Sequence, residues 1–482
     1  MASELFPRNC KMNQQPVVVP PFARFLGQVI FFALLVTIAL TAVPYGTVQP
    51  WWVSIFECVI FLIATLGIVE ALVSRQWSVG LSLWTPLLAL CLFGAIQSLR
   101  LFSGPPPIGP LSALSADPQG TQAVVLQLFA LIVTGILLRR YVSTRTRLLK
   151  LIYVIIGVGV ASAIFGIVRK NMQISTGFFL PALPIGDRSF AQFINRNHFA
   201  FLIEMSLGLT LGLLVGRESI RRRLAFLPVG ALLWVALIYS NSRGGILASL
   251  CEVLFLGVLL DPVRHLTNRE GHSKLSRVKN LVGGLAVRVF LLVCVVGLFA
   301  YGVGWVGGEP VVSNFQNAAT DFSQQEMHDN LNTSRKEIWS ATWKMAKANP
   351  LAGVGIGGYW IGITKYHRAS GEITPQQAHN DYLELLASGG LIGCALVAWF
   401  MVVFIRNATD SLRIADSYYP ATSMGALAGI FGVAIHGFVD FGLHITINAL
   451  ILFALIVIAV YKDRSSNAQA ARGAMEPATE SL

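Results

Sequence analysis

Residues 148–168 read LLKLIYVIIGVGVASAIFGIV, with Lys150 as the single charged residue. A helix rises ~1.5 Å per residue, so about 20 mostly apolar residues cross the ~30 Å hydrocarbon core of a bilayer. Inside that core no water meets the backbone polar groups, and a helix pairs them internally. This stretch is therefore predicted to be a transmembrane helix.

The same apolar pattern recurs along the whole chain. Of 482 residues, 54% are hydrophobic and only 12% are charged, whereas soluble domains carry roughly 25% charged residues. We therefore predict an all-α membrane protein with about 12 transmembrane helices. The predicted spans are 25–43, 51–73, 79–97, 122–138, 148–168, 197–216, 224–240, 244–260, 285–305, 390–405, 420–441 and 445–461.

The distribution of basic residues predicts the orientation. With the N-terminus on the cytoplasmic side and alternating loops, 24 of the 36 lysines and arginines lie inside, as the positive-inside rule requires. The net charge of +12 thus has a membrane explanation, and no nucleic-acid partner is predicted. The twelve outer cations are Arg100, Arg169, Lys170, Arg188, Arg196, Arg243, Arg335, Lys336, Lys344, Lys347, Lys365 and Arg368.

Four regions follow from these spans. Residues 1–305 hold predicted transmembrane helices 1–9, and residues 306–378 form one large outer loop domain that contains short helices. Residues 379–463 hold predicted helices 10–12, and the polar, small-residue-rich tail 464–482 is predicted to be disordered on the cytoplasmic side. The chain is thus predicted to be multi-pass, with both termini cytoplasmic.

The outer loop contains a clear helix signal. Ser334-Arg335-Lys336-Glu337 matches the S-x-x-E capping box, and Asn349-Pro350 marks the end of the helix. Trp339 and Trp343 lie four residues apart on this helix, and both are predicted to lie at the membrane interface.

Polar residues mark four predicted helix N-termini on the outer side. Arg243 follows Ser242, Arg335 follows Ser334, His379 opens the tenth helix, and Arg196 and His198 follow Asn195 at the start of the sixth. A helix N-terminus carries unpaired N–H groups and the positive end of the helix dipole. If these ends converge, the arginines complete an anion site, for which phosphate is the natural ligand.

A second polar group flanks the last outer turn. His436, Asp440 and His444 have a spacing that a metal ion could use, although packing or substrate hydrogen bonding is the favoured interpretation. The six cysteines are scattered without a C-x-x-C pattern, which argues against a zinc site or a disulfide framework. We predict no metal and no cofactor.

Several motifs together resemble the O-antigen ligase and O-antigen polymerase superfamily, bacterial membrane glycosyltransferases of the GT-C kind. They are Ser242-Arg243-Gly244-Gly245 at a transmembrane turn, Ser334-Arg335 with Trp339, and His379-Asn380-x-x-Leu383 followed by Gly390-x-x-Gly393. Their order, with a large outer loop before the histidine helix, also fits. The resemblance covers residues 195–445, and the first five spans match only as hydrophobic helices.

The resemblance implies a metal-independent, inverting glycosyltransferase of the bacterial inner membrane, whose active site and large loop are periplasmic. It would take a glycan from undecaprenyl pyrophosphate and pass it to a hydroxyl of an acceptor glycolipid or glycan, in contact with membrane lipid. Arg243 and Arg335 would bind the pyrophosphate, and His379 would act as the base. The neighbouring residues predicted to bind substrate are Arg196, His198, Lys336, Asn380, Asp381 and Arg188.

Alternative functions remain open. A ligase would transfer the glycan to lipopolysaccharide core, whereas a polymerase of the same fold would extend an O-antigen or exopolysaccharide, and a third variant would glycosylate a protein. A transporter of anionic solutes is the alternative from a different class, although no clear internal repeat is seen and the candidate polar groups lie at the outer edge, not at mid-span. The segments 195–198 and 436–444 depart from the ligase pattern, which points to a subfamily with another polysaccharide or acceptor.

Overall fold

The computed structural model describes residues 19–77, 80–99, 114–172, 189–216, 219–267, 335–367, 374–412 and 418–462. Across these ranges the structure is helical, and its only β-type pairing is an isolated bridge between Phe190 and Phe193. The α-helices are α1 (Pro21–Thr41), α2 (Pro50–Ser74), α3 (Thr85–Ser98), α4 (Pro118–Tyr141), α5 (Arg145–Met172), α6 (Arg196–Val215), α7 (Ile220–Leu224), α8 (Leu227–Ser240), α9 (Arg243–Thr267), α10 (Arg335–Ala348), α11 (Tyr359–Gly362), α12 (Asp381–Leu412), α13 (Tyr418–His436) and α14 (Thr446–Ala459).

These helices correspond to most of the predicted spans. Within the described residues, seven helices are long and apolar enough to cross a membrane, namely α1, α2, α4, α5, α6, α9 and α12. Four shorter apolar helices, α3, α8, α13 and α14, coincide with four further predicted spans. The predicted span 285–305 lies outside the described residues, so the count of twelve stays a prediction. The described residues form an all-helical structure whose long apolar helices fit a multi-pass membrane protein.

Helix α6 is the centre of the bundle. It packs against α5, α8, α9, α13 and α14, and fifteen of its twenty residues are buried. A helix that is apolar on all sides and buried on all sides lies inside the bundle, not at the lipid surface. The N-terminus of α6 is therefore held rigidly by its neighbours, which matters because polar residues cluster there.

Helices α6 and α13 approach each other closely through small residues. A side chain added at Gly212 would lie 2.7 Å from the carbonyl oxygen of Ala421 and 2.7 Å from the Cα of Gly425. One at Gly208 would lie 2.6 Å from the amide nitrogen of Gly429. Both helices thus carry glycines four residues apart, the small-xxx-small pattern that lets membrane helices approach backbone to backbone.

Gly212→Ala is therefore expected to destabilise the bundle. The added methyl group meets backbone atoms, which cannot turn aside, so α6 and α13 must separate at a cost of about 1–3 kcal/mol. We expect a lower midpoint of thermal unfolding for the detergent-solubilised protein. Gly157→Ala on α5 is the matched control, since a side chain there meets nothing within 4 Å. Equal midpoints for the two variants would contradict this account of the interface.

Helix α12 is broken at Gly390, where φ is 61° and ψ is −164°. At the break, the amides of Leu391 and Ile392 donate to the carbonyls of Pro350 and Leu351. A side chain at Gly390 would lie 2.3 Å from the Leu351 carbonyl oxygen, so only glycine fits both this conformation and this close approach. The predicted span 390–405 begins at this break, and residues 381–389 form a separate first segment of α12.

The residues that follow α10 are docked on α3 and on the start of α4. Gln97 of α3 donates from Nε2 to the Ala352 carbonyl at 2.6 Å and accepts from the Ile356 amide at 3.2 Å. Trp360 donates to Asp117, the N-cap residue of α4, at 2.8 Å. These contacts anchor the segment that follows the C-terminal end of α10 to the bundle.

Candidate active site

Three long helices begin at the same end of the bundle, and each start is capped by a side chain. Asn195 accepts from the Asn197 amide at the start of α6, and Ser242 accepts from the Gly245 amide at the start of α9. Asn380 Oδ1 accepts from the amides of Tyr382 and Leu383 at the start of α12. Short polar side chains at these positions satisfy amides that the helix leaves unpaired.

The turn between α13 and α14 supplies the residue on which these helix ends converge. Asp440 is fully buried in this turn, its amide donates to the His436 carbonyl, and its Oδ1 accepts from the Phe441 amide at 2.9 Å. A buried carboxylate is costly unless charged or hydrogen-bonding partners surround it. Asp440 has such partners on both of its oxygens.

One set of partners reaches Asp440 from the starts of α6 and α9. Asn197 Nδ2 donates to Asp440 Oδ2 in a short hydrogen bond, and Ser242 Oγ donates to Asn197 Oδ1 at 2.8 Å. Ser242 therefore caps α9 and holds Asn197 at the same time. The chain Ser242–Asn197–Asp440 ties three parts of the sequence into one polar network.

The other partners are two of the predicted functional residues. Arg335 Nη2 lies 3.6 Å from Asp440 Oδ2, and His379 Nδ1 lies 3.5 Å from Asp440 Oδ1. The Arg335 side chain is 49% exposed and that of His379 is 33% exposed, whereas Asp440 is fully buried. The two groups thus rest on the carboxylate with part of each side chain open to a ligand.

Asp440 is held in its charged form. Burial acts to raise its pKa, but the adjacent His379 and the neighbouring imidazoles of His198 and His436 act in the opposite direction, and the net result is a pKa below the ordinary value. The site therefore has a permanent negative charge at its base. This charge can orient an imidazole and stabilise it once it has gained a proton.

Phe441, next to Asp440, packs between histidines. The His198 ring lies edge-on to it at 4.8 Å and the His379 ring at 4.7 Å, with His444 further off at 5.9 Å. His198 is buried, and its backbone carbonyl accepts from Asn448 Nδ2 at 2.9 Å. The predicted His198 thus lies against the same phenyl ring as His379.

His436, Asp440 and His444, which flank or lie in the turn between α13 and α14, have three separate sets of partners. His436 Nδ1 lies 2.7 Å from Glu204 Oε1 inside the bundle, both fully buried, while Asp440 faces Arg335 and His379. His444 Nε2 lies 3.3 Å from Glu384 Oε1. In the described part of the chain, no three His, Cys, Asp or Glu side chains are grouped as metal ligands.

The other predicted site residues lie at the same helix starts. Arg243 and Arg196 are the half-buried first residues of α9 and α6, and Lys336 is exposed in the first turn of α10. Asn380 caps α12, and Asp381 Oδ1 lies 3.9 Å from His444 Nε2 while its amide donates to the Gly437 carbonyl. Arg188 lies outside the described residues.

Sequence reasoning did not connect the four residues that hold the site together. Asn197 was visible only as part of a polar run, Ser242 only as a possible helix cap, and Phe441 had no signal at all. Asp440 was noted with His436 and His444 but not linked to Arg335 or His379. Its signal was a charged residue between two apolar spans, since ionisable groups at such positions usually have a function.

The comparisons with known proteins bear on this region. Residues 228–398 match a family model described as O-antigen ligase. No curated protein matches the chain. The matched region contains Arg243, Arg335 and His379, whereas Asn197 and Asp440 lie outside it.

Proposed function

The O-antigen ligase domain at residues 228–398 supports membership of the O-antigen ligase and polymerase superfamily, and from this premise we propose that the chain transfers a glycan from undecaprenyl pyrophosphate to an acceptor hydroxyl. The observation that carries the proposal is the meeting of Arg335 and His379 on the buried carboxylate of Asp440. The proposed reaction needs a cation for the leaving phosphate and a base for the acceptor hydroxyl. Arg335 and His379 supply one group of each kind at the same place.

His379 has the geometry of an oriented general base. With Nδ1 directed at Asp440, its Nε2 is the nitrogen left to take the proton of the acceptor hydroxyl. The acceptor oxygen then forms its bond to the anomeric carbon as the bond from that carbon to the pyrophosphate oxygen breaks. The proton resides on His379, the electron pair leaves with undecaprenyl pyrophosphate, and this single displacement inverts the anomeric centre.

Arg335 and Arg243 would neutralise the charge that develops on the leaving pyrophosphate. Arg335 contacts the Asp440 carboxylate, but about half of its side chain is exposed. A phosphate can therefore approach the exposed part of the guanidinium. Arg243 stands at the N-terminus of α9, where the helix dipole adds to its charge. Preorganised charges of this kind stabilise a transition state without reorganisation and need no metal.

The proposal includes a membrane location and an orientation. The chain is a multi-pass membrane protein, and we place it in the bacterial inner membrane with both termini cytoplasmic and the site periplasmic. The excess of basic residues in the assigned inner loops supports this orientation. The carrier-linked donor and an acceptor glycolipid or glycan would then reach the site from the outer leaflet.

We favour a ligase that acts on lipopolysaccharide core over a polymerase of O-antigen or exopolysaccharide. A gene deletion, read by glycolipid electrophoresis and by analysis of carrier lipids, tests the proposal. Loss of a ligase leaves core without polymer and polymer on the carrier, whereas loss of a polymerase leaves single repeats. Unchanged glycolipids and unchanged carrier lipids would overturn the glycosyltransferase proposal as a whole.

Substituting lysine for Arg243 and Arg335 tests whether these residues bind phosphate through the guanidinium group or contribute only a positive charge. Lysine keeps the charge but lacks the planar fork that contacts two phosphate oxygens, so the double variant Arg243→Lys with Arg335→Lys should lose at least about 10-fold in transfer. Transfer is measured with carrier-linked glycan extracted from the deletion strain. Lys365→Arg, at the end of a 3₁₀ turn, is a conservative control. Near-normal transfer by the double variant would assign both arginines to the membrane interface.

A further inference from the structure

The backbone of Ala378, the residue before His379, is held on both sides. Its carbonyl accepts from the indole Nε1 of Trp339 at 2.9 Å, and its amide donates to Glu384 Oε2 at 2.7 Å. Ala378 itself is fully buried. Two side chains from two different helices, α10 and α12, therefore fix the peptide groups on either side of one residue.

His379 needs such support because its backbone is strained. Its φ is 50°, in the left-handed region that residues with a Cβ rarely adopt. Strained residues persist only where the surrounding structure determines them, and they concentrate at functional sites. In this conformation the His379 ring faces Asp440 and packs edge-on to Phe441. Loss of a neighbouring anchor would let the backbone relax and move the ring.

Trp339 also connects His379 to Arg335. The two side chains of α10 are four residues apart, so they lie on adjacent turns of one face of that helix. Arg335 contacts Asp440 directly, and Trp339 holds the residue before His379, which contacts the same carboxylate. The indole hydrogen bond thus sets the separation between the proposed phosphate-binding group and the proposed base.

We infer that Trp339 is a positioning residue that fixes His379 relative to Arg335, with Glu384 as its counterpart on α12. This inference rests on the proposed function only for its effect on transfer, since the clamp itself is a property of the fold. A base displaced by about 1 Å can lose on the order of 10²-fold in rate, so one hydrogen bond at this place has a large effect.

Trp339→Phe tests the inference, because it removes the N–H donor and retains an aromatic ring. Trp343→Phe is the matched control, the same change one turn further along α10 on a ring that is 49% exposed. We expect Trp339→Phe to lower kcat by about 10-fold or more with little change in the KM for the extracted carrier-linked donor, and Trp343→Phe to lower neither. A purely structural role would lower the folded yield and leave activity per folded molecule intact.

Hydrogen exchange provides a readout that does not need the reaction. In Trp339→Phe, amides in residues 374–384 should exchange faster, while those of α6 keep their protection. Glu384→Ala should show the same pattern, and Glu384→Gln, whose side-chain oxygen can still accept from Ala378, should restore both protection and transfer. Unchanged exchange in Trp339→Phe would overturn the clamp.

The two proposals fail in different ways. If Trp339→Phe loosens residues 374–384 but the wild-type protein transfers no glycan, the clamp stands and the proposed function falls. If the wild-type protein transfers glycan and Trp339→Phe loosens the segment without lowering kcat, Trp339 holds the loop but does not position the base. Loss of both transfer and protection in Trp339→Phe alone, with Trp343→Phe unchanged, supports the inference.

Discussion

His379→Ala is expected to lower turnover by at least about 10²-fold while undecaprenyl pyrophosphate still binds. General-base catalysis is typically worth 10²–10⁴-fold, and alanine has no group that can take the proton of the acceptor hydroxyl. Donor binding should persist because the proposed mechanism assigns it to the arginines and to the helix N-termini. Folded yield, carrier-lipid binding and transfer are measured on the same preparation.

His379→Gln separates the base from a structural residue. Glutamine can still donate a hydrogen bond to Asp440 but cannot accept and hold a proton at the position of Nε2. We expect this variant to fold like the wild-type protein and to remain about as inactive as His379→Ala. Recovery of transfer in His379→Gln would end the general-base assignment, and attention would move to His198, which packs against the same Phe441 ring.

The helices of the fold could be predicted because each depends on a local pattern. An uninterrupted apolar run specifies a membrane helix without reference to its neighbours, and the eleven described segments that coincide with predicted spans show this. The helix α10 could also be predicted from a local pattern, since a cap signal precedes Arg335 and Asn349-Pro350 follows Ala348. The break of α12 was not predicted, because it depends on Pro350 and Leu351 packing on Gly390.

Local sequence patterns could not predict that side chains from distant parts of the chain meet at Asp440. Asn197 and Asp440 are 243 positions apart, and Ser242 and Asn197 are 45 apart, so their contacts follow from how α6, α9 and α13 pack. The predicted helix starts identified the candidate residues. Which of these residues meet depends on how the helices pack against each other. The close approach of α6 and α13 at Gly208 and Gly212 is the feature that brings the two polar ends together.

The two tryptophans of α10 have different surroundings. Both were predicted to lie at the membrane interface, which stays a prediction, and Trp339 is half-buried and donates to the Ala378 carbonyl. Spacing alone places both rings near one face and cannot tell which of them finds a buried acceptor. Trp343 remains exposed, with the Lys347 ammonium 5.9 Å from its ring centroid, as suits an interfacial aromatic residue.

Asp440 connects the fold to the proposed chemistry, and Asp440→Asn is expected to lower turnover on the order of 10²-fold or more. The amide is nearly the same size but cannot stabilise the imidazolium that forms on His379, and it can offer an N–H where an acceptor is needed. Arg335 also loses its counter-charge. Asp410→Asn is the control, the same change at an exposed carboxylate near the C-terminal end of α12, where it pairs with Lys462.

The pH dependence of stability gives this last prediction a second test. Because the pKa of Asp440 is lowered in the folded protein, its carboxylate stabilises the fold fully above the unfolded value of about 3.9 and loses that contribution as pH falls below it. Asp440→Asn should therefore be less stable than the wild-type protein above about pH 5, and the margin should shrink below about pH 4. The Asp440 carboxylate stays charged across the pH range in which histidines titrate. It therefore adds no separate inflection to the pH profile of transfer. Transfer within about 3-fold of wild type in Asp440→Asn, or a stability margin that does not shrink below about pH 4, would show that Asp440 does not hold the site in the way its contacts suggest.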